Sequence, residues 1–155
     1  MDKEELMRRA IRLSEESVTG AGGPFGAVIA KKGEIIAEAS NSVTLSHDPT
    51  AHAEVNAIRK ATTALGTHDL SGCDIYCSCE PCPMCLGAIY WAHIDHIYFA
   101  NTRQDAASVG FDDDFIYREI ALPLPLRHKP TDPLLRNEAL HTFELWKNKT
   151  DKKEY

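Results

Sequence analysis

Two short segments carry residue types that can hold a metal ion and move protons. His52-Ala53-Glu54 comes first, and Pro81-Cys82-Pro83-Met84-Cys85 follows further along the chain. One imidazole and two thiolates give a zinc ion three protein ligands and leave the fourth position of its tetrahedron for a water molecule. We therefore predict that His52, Cys82 and Cys85 bind one Zn²⁺ ion per subunit. The Glu54 carboxylate is then free to act as a general acid and base.

A closed zinc site is the main alternative at this point. It would need a fourth protein ligand, and Cys79, three residues before Cys82, is the candidate. Such a site would make the protein a zinc-stabilised binding module rather than an enzyme. It would leave Glu54 without a role, so the open, catalytic site is the favoured interpretation.

Hydrophobic periodicity predicts the elements that position these residues. Their order is α, β, β, α, β, α, β, and strands joined through helices are typical of a sheet with parallel neighbours between helical layers. Residues 102–114 are expected to form an active-site loop. Four prolines break up the segment between residues 123 and 133. We expect helices over residues 3–18, 50–65, 81–91, 115–120 and 134–148, and strands over residues 25–30, 35–41, 73–79, 96–100 and, at the sheet edge, 127–129.

The amino-acid composition and the net charge indicate which class of protein this chain belongs to. The chain has 155 residues, of which 43% are hydrophobic and 26% charged, with a net charge of −6. These values predict one globular domain over residues 1–155. The acidic balance argues against a nucleic-acid partner, because phosphate contacts need Lys and Arg. No stretch approaches the roughly 20 apolar residues that span a membrane, so we expect a cytoplasmic protein with no membrane partner.

The motifs resemble the cytidine deaminase-like superfamily. The resemblance rests on the two metal-binding segments, on Pro24-Phe25-Gly26-Ala27-Val28 and on Asn41. A His-x-Glu segment followed by Pro-Cys-x-x-Cys is the pattern of its zinc deaminases. The resemblance implies an α/β fold, a three-layer α/β/α sandwich with a mixed five-stranded sheet. It also implies hydrolytic loss of an exocyclic amine.

Within this superfamily the chain is most similar to the bacterial guanine deaminases. The segments that carry this resemblance are Ile89-Tyr90-Trp91-Ala92, Gly110-Phe111-Asp112-Asp113 and Lys152-Lys153-Glu154-Tyr155. The implied reaction is zinc-dependent conversion of guanine to xanthine and ammonia. Glu54 would take a proton from the attacking water and pass protons to a ring nitrogen and to the departing amine.

The resemblance also assigns the residues that contact the base. Phe25 and Trp91 would wall a planar purine, Asn41 would hydrogen-bond its edge, and an aspartate would accept its N–H groups. Asp113 is favoured over its neighbours Asp112 and Asp114, although the register leaves all three open. The implied partner is a second copy of the chain. Residues 134–155 would be exchanged between the subunits of a homodimer, and Tyr155 would close the partner's site.

Two other substrates stay open. A tRNA adenosine deaminase shares the zinc motifs and the length, but the segment Asp105–Asp112 is acidic where an RNA-binding protein would need Lys or Arg. Deamination of cytosine or of a nucleoside is the other possibility.

Overall fold

The computed structural model describes residues 1–155, which form two compact units, residues 1–114 and residues 115–155. That the whole chain acts as one deaminase domain stays a prediction. The strands are β1 (Gly26–Lys31), β2 (Glu34–Ser40), β3 (Cys73–Cys79) and β4 (His96–Asn101). The helices are α1 (Lys3–Thr19), α2 (Val43–Ser46), α3 (Ala53–Leu65), α4 (Pro83–Trp91), α5 (Arg103–Ser108), α6 (Asp114–Ile120) and α7 (Arg136–Asn148).

The four strands form one mixed sheet in the order β2-β1-β3-β4. β1 runs antiparallel to β2 and to β3, whereas β3 and β4 are parallel neighbours joined through α4. The carboxyl ends of β3 and β4 therefore lie side by side, with Cys79 opposite Asn101. Polar residues that follow two adjacent parallel strands are brought together at this edge of the sheet.

Helices cover both faces of the sheet, as the three-layer prediction requires. α1 packs on one face, where Leu6 and Ala10 join Val28 in a buried cluster. α3 and α4 pack on the other face, where Ala57 and Ile89 belong to a larger cluster. Alternate residues of the buried strands belong to the two clusters in turn, since successive side chains of a strand point to opposite faces of the sheet.

Two glycines near the start of the chain occupy positions where a side chain would be strained or would clash. Gly33 has a φ of +79° in the tight turn between β1 and β2, next to Lys32 with a φ of +51°, as a two-residue hairpin turn of this kind requires. Gly26 begins β1 where the α1 backbone comes close, because a Cβ atom there would lie 2.4 Å from the carbonyl oxygen of Ala10. Any side chain at Gly26 would push α1 away from the sheet.

The expected fifth strand is not formed, so the sheet has four strands. A short 3-10 turn occupies Leu124–Leu126, and the residues after it bond back to the end of α6. The Arg127 guanidinium donates to the carbonyl of Leu122 at 3.1 Å. The His128 backbone N–H donates to the Glu119 carboxylate at 2.9 Å. Because the His128 backbone N–H already bonds to the Glu119 carboxylate, residues 127–129 do not add a strand to the sheet.

Two short helices were not predicted. α2 follows β2 directly, and α5 lies inside the stretch 102–114 that was expected to be a loop. Thr102 caps α5, and its side chain and that of Asp105 each accept the other residue's backbone N–H. This reciprocal cap satisfies two N–H groups that a helix start would leave without partners.

The second unit exposes its apolar side chains. α7 has no buried residue, and Phe143 is 74% exposed. Leu134, Leu135 and Leu145 are also exposed. Taken across the whole chain, no helix combines the length and the apolar character needed to cross a bilayer.

Candidate metal centre and active site

The predicted metal ligands come together at the starts of two helices. The side chains of His52, Cys82 and Cys85 place their ligand atoms within 4.8 Å of one another. His52 Nδ1 lies 3.5 Å from the Sγ atom of each cysteine. His52 is the residue before α3, Cys82 is the residue before α4, and Cys85 lies in the first turn of α4. The imidazole nitrogen that faces the sulfurs is therefore Nδ1.

The spacing of these atoms fits zinc. Tetrahedral coordination with a Zn–S bond of about 2.3 Å and a Zn–N bond of about 2.05 Å separates sulfur from nitrogen by about 3.5–3.6 Å. The two distances of 3.5 Å match this geometry. Two thiolates and one imidazole are also the ligand types that zinc prefers.

Cys79 does not belong to this cluster. Its Sγ atom lies 3.7 Å from the backbone carbonyl of Thr102 and donates to it. Burial, with the nearby Asp113 and Glu54 carboxylates, raises the pKa of Cys79 to about 11. The ligand atoms that lie within 4.8 Å of one another come from His52, Cys82 and Cys85 and not from Cys79, and this supports three protein ligands with an open fourth position.

The cluster has the electrostatics of a cation site. Hydrogen bonds from the Cys85 side chain, from the His52 ring and from the Cys85 backbone N–H hold the pKa of Cys82 at about 4. The same sulfur–sulfur contact, with burial, raises the pKa of Cys85. The negative Cys82 sulfur in turn raises the pKa of His52. The lowered pKa of Cys82 favours its thiolate form, and so does its position at the start of a helix, where the backbone dipoles favour negative charge.

Glu54 is buried beside these ligands. Its side chain is 7% exposed, in the first turn of α3. Burial raises the pKa of its carboxyl group, and a hydrogen bond with the Cys85 side chain opposes the rise. A raised pKa brings a carboxyl group closer to neutral pH, where it can both accept and release a proton.

Asn41 and Phe25 are neighbours in space. The Asn41 backbone N–H donates to the Phe25 carbonyl at 3.1 Å. The Asn41 side-chain oxygen accepts the backbone N–H of Val43, so the amide N–H groups face away from that contact. Asn41 also borders a cavity of about 620 Å³ between α1, β2 and α3, and neither the three metal ligands nor Glu54 lines this cavity.

An aromatic residue that the sequence analysis did not assign to the base pocket packs against Phe25. The Phe111 ring meets the Phe25 ring edge to face, with their centroids 4.9 Å apart. This contact ties the segment after α5 to the start of β1. Phe111 is 43% exposed, so part of its ring is available to a ligand. An aromatic residue in a segment without periodicity gave no sequence signal for this pairing.

The three aspartates differ in their surroundings. The pKa of Asp113 is raised first by burial and then by the nearby Cys82 and Glu80 charges, while Arg103 lowers it. Asp114 lies 3.6 Å from the Arg103 guanidinium, whereas Asp112 is exposed. The Asp113 carboxylate is among the groups that raise the pKa of His52, and the Cys82 charge is among those that raise the pKa of Asp113. These contacts favour Asp113 as the aspartate that faces the metal centre.

Trp91 lines a surface groove of the first unit, and Tyr155 lies in the second unit. The Trp91 side chain is 66% exposed at the end of α4 and lines a groove of about 630 Å³ together with Ile58 and His68. None of the metal ligands lines that groove. Tyr155 belongs to the second unit and is 75% exposed. The roles expected of these two residues stay predictions.

Comparison with known proteins gives the family. A family model described as the cytidine and deoxycytidylate deaminase zinc-binding region matches residues 1–101. The chain belongs to this deaminase family. Its fold, with helices on both faces of a mixed sheet, is that of the cytidine deaminase-like proteins, with four strands.

Individual relatives differ in how much of the chain they match. The guanine deaminase of Bacillus subtilis (strain 168) is 54% identical over 156 residues, covering 100% of both chains. The X-ray structure of guanine deaminase from Bacillus subtilis has a TM-score of 0.96 and covers 100% of this chain and 99% of that one. A tRNA-specific adenosine deaminase of Aquifex aeolicus is 42% identical over 100 residues, covering 64% of this chain and 66% of the relative. The similarity to guanine deaminase thus includes the part of the chain that the tRNA enzyme leaves unmatched.

Proposed function

We propose that this member of the deaminase family hydrolyses guanine to xanthine and ammonia. The observation that carries the proposal is the cluster of His52, Cys82 and Cys85 beside the buried Glu54. It lies in a chain similar along its whole length to a guanine deaminase. Water is the second substrate, and its oxygen replaces the amino group on C2 of the base.

One zinc ion per subunit fits the ligands present. Nδ1 of His52 and the sulfurs of Cys82 and Cys85 would hold it, with distances suited to a tetrahedron. When bound, the ion supplies Lewis-acid activation of a water molecule, which gives a nucleophile near neutral pH.

Glu54 carries the protons of the reaction. In its ionised form it takes a proton from the attacking water and gives it to a ring nitrogen. It then takes the remaining proton of that water from the new hydroxyl group on C2 and gives it to the departing amine, so that ammonia leaves and C2 keeps the oxygen as a carbonyl. C2 of guanine lies between two ring nitrogens, so protonation of one of them makes this carbon more electrophilic. The buried position of Glu54 raises its pKa, which favours proton exchange at neutral pH, and keeps bulk water from competing for the proton.

The base is recognised by neighbouring side chains. The amide N–H groups of Asn41 can donate to acceptors on the purine edge, because its oxygen is used by Val43. Asp113 can accept the N–H groups that guanine presents. Phe25, packed on Phe111, offers an apolar wall for the ring. A base that leaves these polar groups without partners would bind much more weakly.

The proposed enzyme contains two copies of the chain. We infer a homodimer in which residues 134–155 are exchanged and Tyr155 closes the partner's site, with Trp91 as a further wall of the base pocket. The exposure of Leu134, Phe143 and their neighbours supports a partner for this segment, since an exposed apolar surface of this kind marks an interaction site. We place the enzyme in the cytoplasm.

Deamination of adenosine in tRNA is the second candidate. The 42% identity to the Aquifex aeolicus enzyme favours it within the matched part of the chain. The net charge of −6 counts against it, because an RNA-binding surface needs clustered positive charge. Titration with tRNA at low and moderate salt separates the two functions, since binding through phosphates weakens steeply as salt rises.

The test of the proposed function is a direct assay. The zinc-loaded protein is incubated with guanine, adenine, cytosine and the corresponding nucleosides, and ammonia and the product base are measured. We expect ammonia and xanthine in equal amounts from guanine, and much slower release from the other compounds. Failure to release ammonia from guanine while a nucleoside or tRNA reacts would refute the proposal.

A further inference from the structure

Arg103 lies where the segments after two parallel strands meet. The Glu80 backbone N–H donates to the Asn101 carbonyl at 2.8 Å, so the chain leaving β3 runs beside the end of β4. Two residues after Glu80 comes the metal ligand Cys82, and two residues after Asn101 comes Arg103, the first residue of α5. The fold therefore sets Arg103 next to the start of the metal-binding motif.

The Glu80 carboxylate is held by both the side chain and the backbone of Arg103. Arg103 Nε lies 3.0 Å from Glu80 Oε2. The Arg103 backbone N–H donates to Glu80 Oε1 at 3.4 Å. The two side chains are 30% and 25% exposed, so water screens this ion pair less than a pair on the open surface.

The other side of the same guanidinium reaches Asp114. Arg103 Nη1 lies 3.6 Å from Asp114 Oδ1. Asp114 directly follows Asp113, the aspartate that faces the metal centre. Arg103 thus joins a carboxylate two residues before Cys82 to a carboxylate one residue after Asp113.

We propose that Arg103 is a positioning residue that sets where Asp113 meets the base, by linking Asp114 to Glu80. This inference rests on the proposed function, in which Asp113 accepts N–H groups of guanine. The segment that carries Asp113 then has an anchor at each end. Phe111 packs on Phe25 before it, and Asp114 pairs with Arg103 after it.

The contact needs a guanidinium rather than any positive charge. Nε lies close to one carboxylate and Nη1 close to another, and a planar guanidinium can present both nitrogens at once. A lysine carries one compact ammonium group on a flexible stem, so it can pair with Glu80 or with Asp114 but holds the two less rigidly. Replacement of Arg103 by lysine should therefore weaken guanine binding less than replacement by a neutral side chain.

The experiment compares Arg103→Met and Arg103→Lys with the unmodified zinc enzyme. Since coupled pairs of this kind contribute about 0.5–3 kcal/mol, we expect KM for guanine to rise on the order of tenfold in Arg103→Met. We expect a smaller rise in Arg103→Lys, and kcat close to that of the unmodified enzyme in both. Zinc content and Tm are measured on each protein. Arg8→Met is the matched control, because Arg8 pairs only with the exposed Glu4 on the same helix.

Asp114→Asn gives a second, independent variant that removes the other half of the contact. It should raise KM in the same direction, and the double variant with Arg103→Met should show less than the product of the two separate effects. An unchanged KM in both single variants would overturn the inference. Loss of zinc together with a fall in kcat would also overturn it, because that pattern indicates a structural role. If the unmodified enzyme itself leaves guanine unreacted, the proposed function fails instead.

Discussion

The side-chain oxygen of Asn41 accepts the backbone N–H of Val43 at 3.1 Å. This contact fixes which end of the amide is free to meet a ligand, namely the two N–H donors. Asn41→Asp keeps the acceptor for Val43 but replaces the donors with a second oxygen. We expect KM for guanine to rise at least tenfold in this variant, since a neutral hydrogen bond lost and an acceptor left facing an acceptor cost about 1–3 kcal/mol.

The measurement is steady-state kinetics of xanthine formation, with zinc content as the check on the metal site. The Tm of the variant is measured as well, so that a loss of stability can be distinguished from weaker binding of the base. An Asn41→Asp enzyme with an unchanged KM would remove Asn41 from the base pocket.

Glu54→Gln should keep the fold and the zinc but lose turnover. A glutamine has nearly the same shape but cannot carry the proton between water, ring nitrogen and amine. General acid–base catalysis contributes about 10²–10⁴-fold, so kcat should fall by at least two orders of magnitude, as measured by ammonia release. Glu15→Gln, an exposed site on α1, should have normal activity. Equal rates for the two variants would exclude Glu54 as the proton carrier.

Cys82→Ser and Cys79→Ser should differ sharply in metal content. Cys82 supplies a sulfur of the cluster, whereas Cys79 donates to Thr102 outside it. We expect less than one zinc per chain after dialysis of Cys82→Ser, and one zinc per chain in Cys79→Ser, by elemental analysis. Zinc loss from Cys79→Ser would instead indicate a closed site with four protein ligands.

Removal of Lys152–Tyr155 tests whether the C-terminus acts in a partner subunit. The shortened chain should bind zinc but turn guanine over slowly, and Lys153→Ala should have little effect. The decisive step is to unfold and refold it together with Glu54→Gln chains. If the segment is exchanged, mixed dimers hold one complete site and activity reappears. Mixing without recovery would contradict the exchange.

The ion pair between Arg9 and Glu38 predicts a pH-dependent stability. Two hydrogen bonds of 2.8 and 2.6 Å join the guanidinium to the carboxylate, and this contact lowers the pKa of Glu38. A carboxyl group with a lowered folded-state pKa stabilises the protein above its unfolded pKa, near 4.3, and loses this effect as pH falls through the folded value.

The comparison is between the unmodified protein and Glu38→Gln in urea unfolding at pH 7 and at pH 3. With the carboxylate about a third exposed, solvent screening limits the difference at pH 7 to about 0.5–1 kcal/mol. At pH 3 the difference should shrink toward zero. Metal loss in acid affects both proteins alike, so it cancels in the comparison. A difference that is equal at both pH values would show that the pair does not act through its charge.

The metal centre could be predicted from the sequence because few arrangements use a His-x-Glu and a Cys-x-x-Cys segment together. Most elements of the first unit were also correct, since β3 and α4 have clear patterns and the Lys32-Gly33 turn is a local signal. α5 was missed although Thr102 and Asp105 have the spacing of a helix cap. That signal is local and could have been found.

The contacts between distant residues could not be predicted in the same way. Glu80 and Arg103 meet only because β3 and β4 are parallel neighbours, and Phe111 meets Phe25 only after the fold is complete. The false fifth strand has a similar origin. The pattern of residues 127–129 fits a strand, but the Arg127 side chain and the His128 backbone find partners at the end of α6.

The end of β4 at Asn101 coincides with the end of the part that matches the wider deaminase family. Every metal ligand and Glu54 lie before this point, whereas Asp113 and Tyr155 lie after it. The last third of the chain therefore holds only part of the proposed base pocket, whereas the proposed hydrolytic residues all belong to the shared part. A chimera joined at Asn101 would keep those residues and replace Asp113 and Tyr155 together.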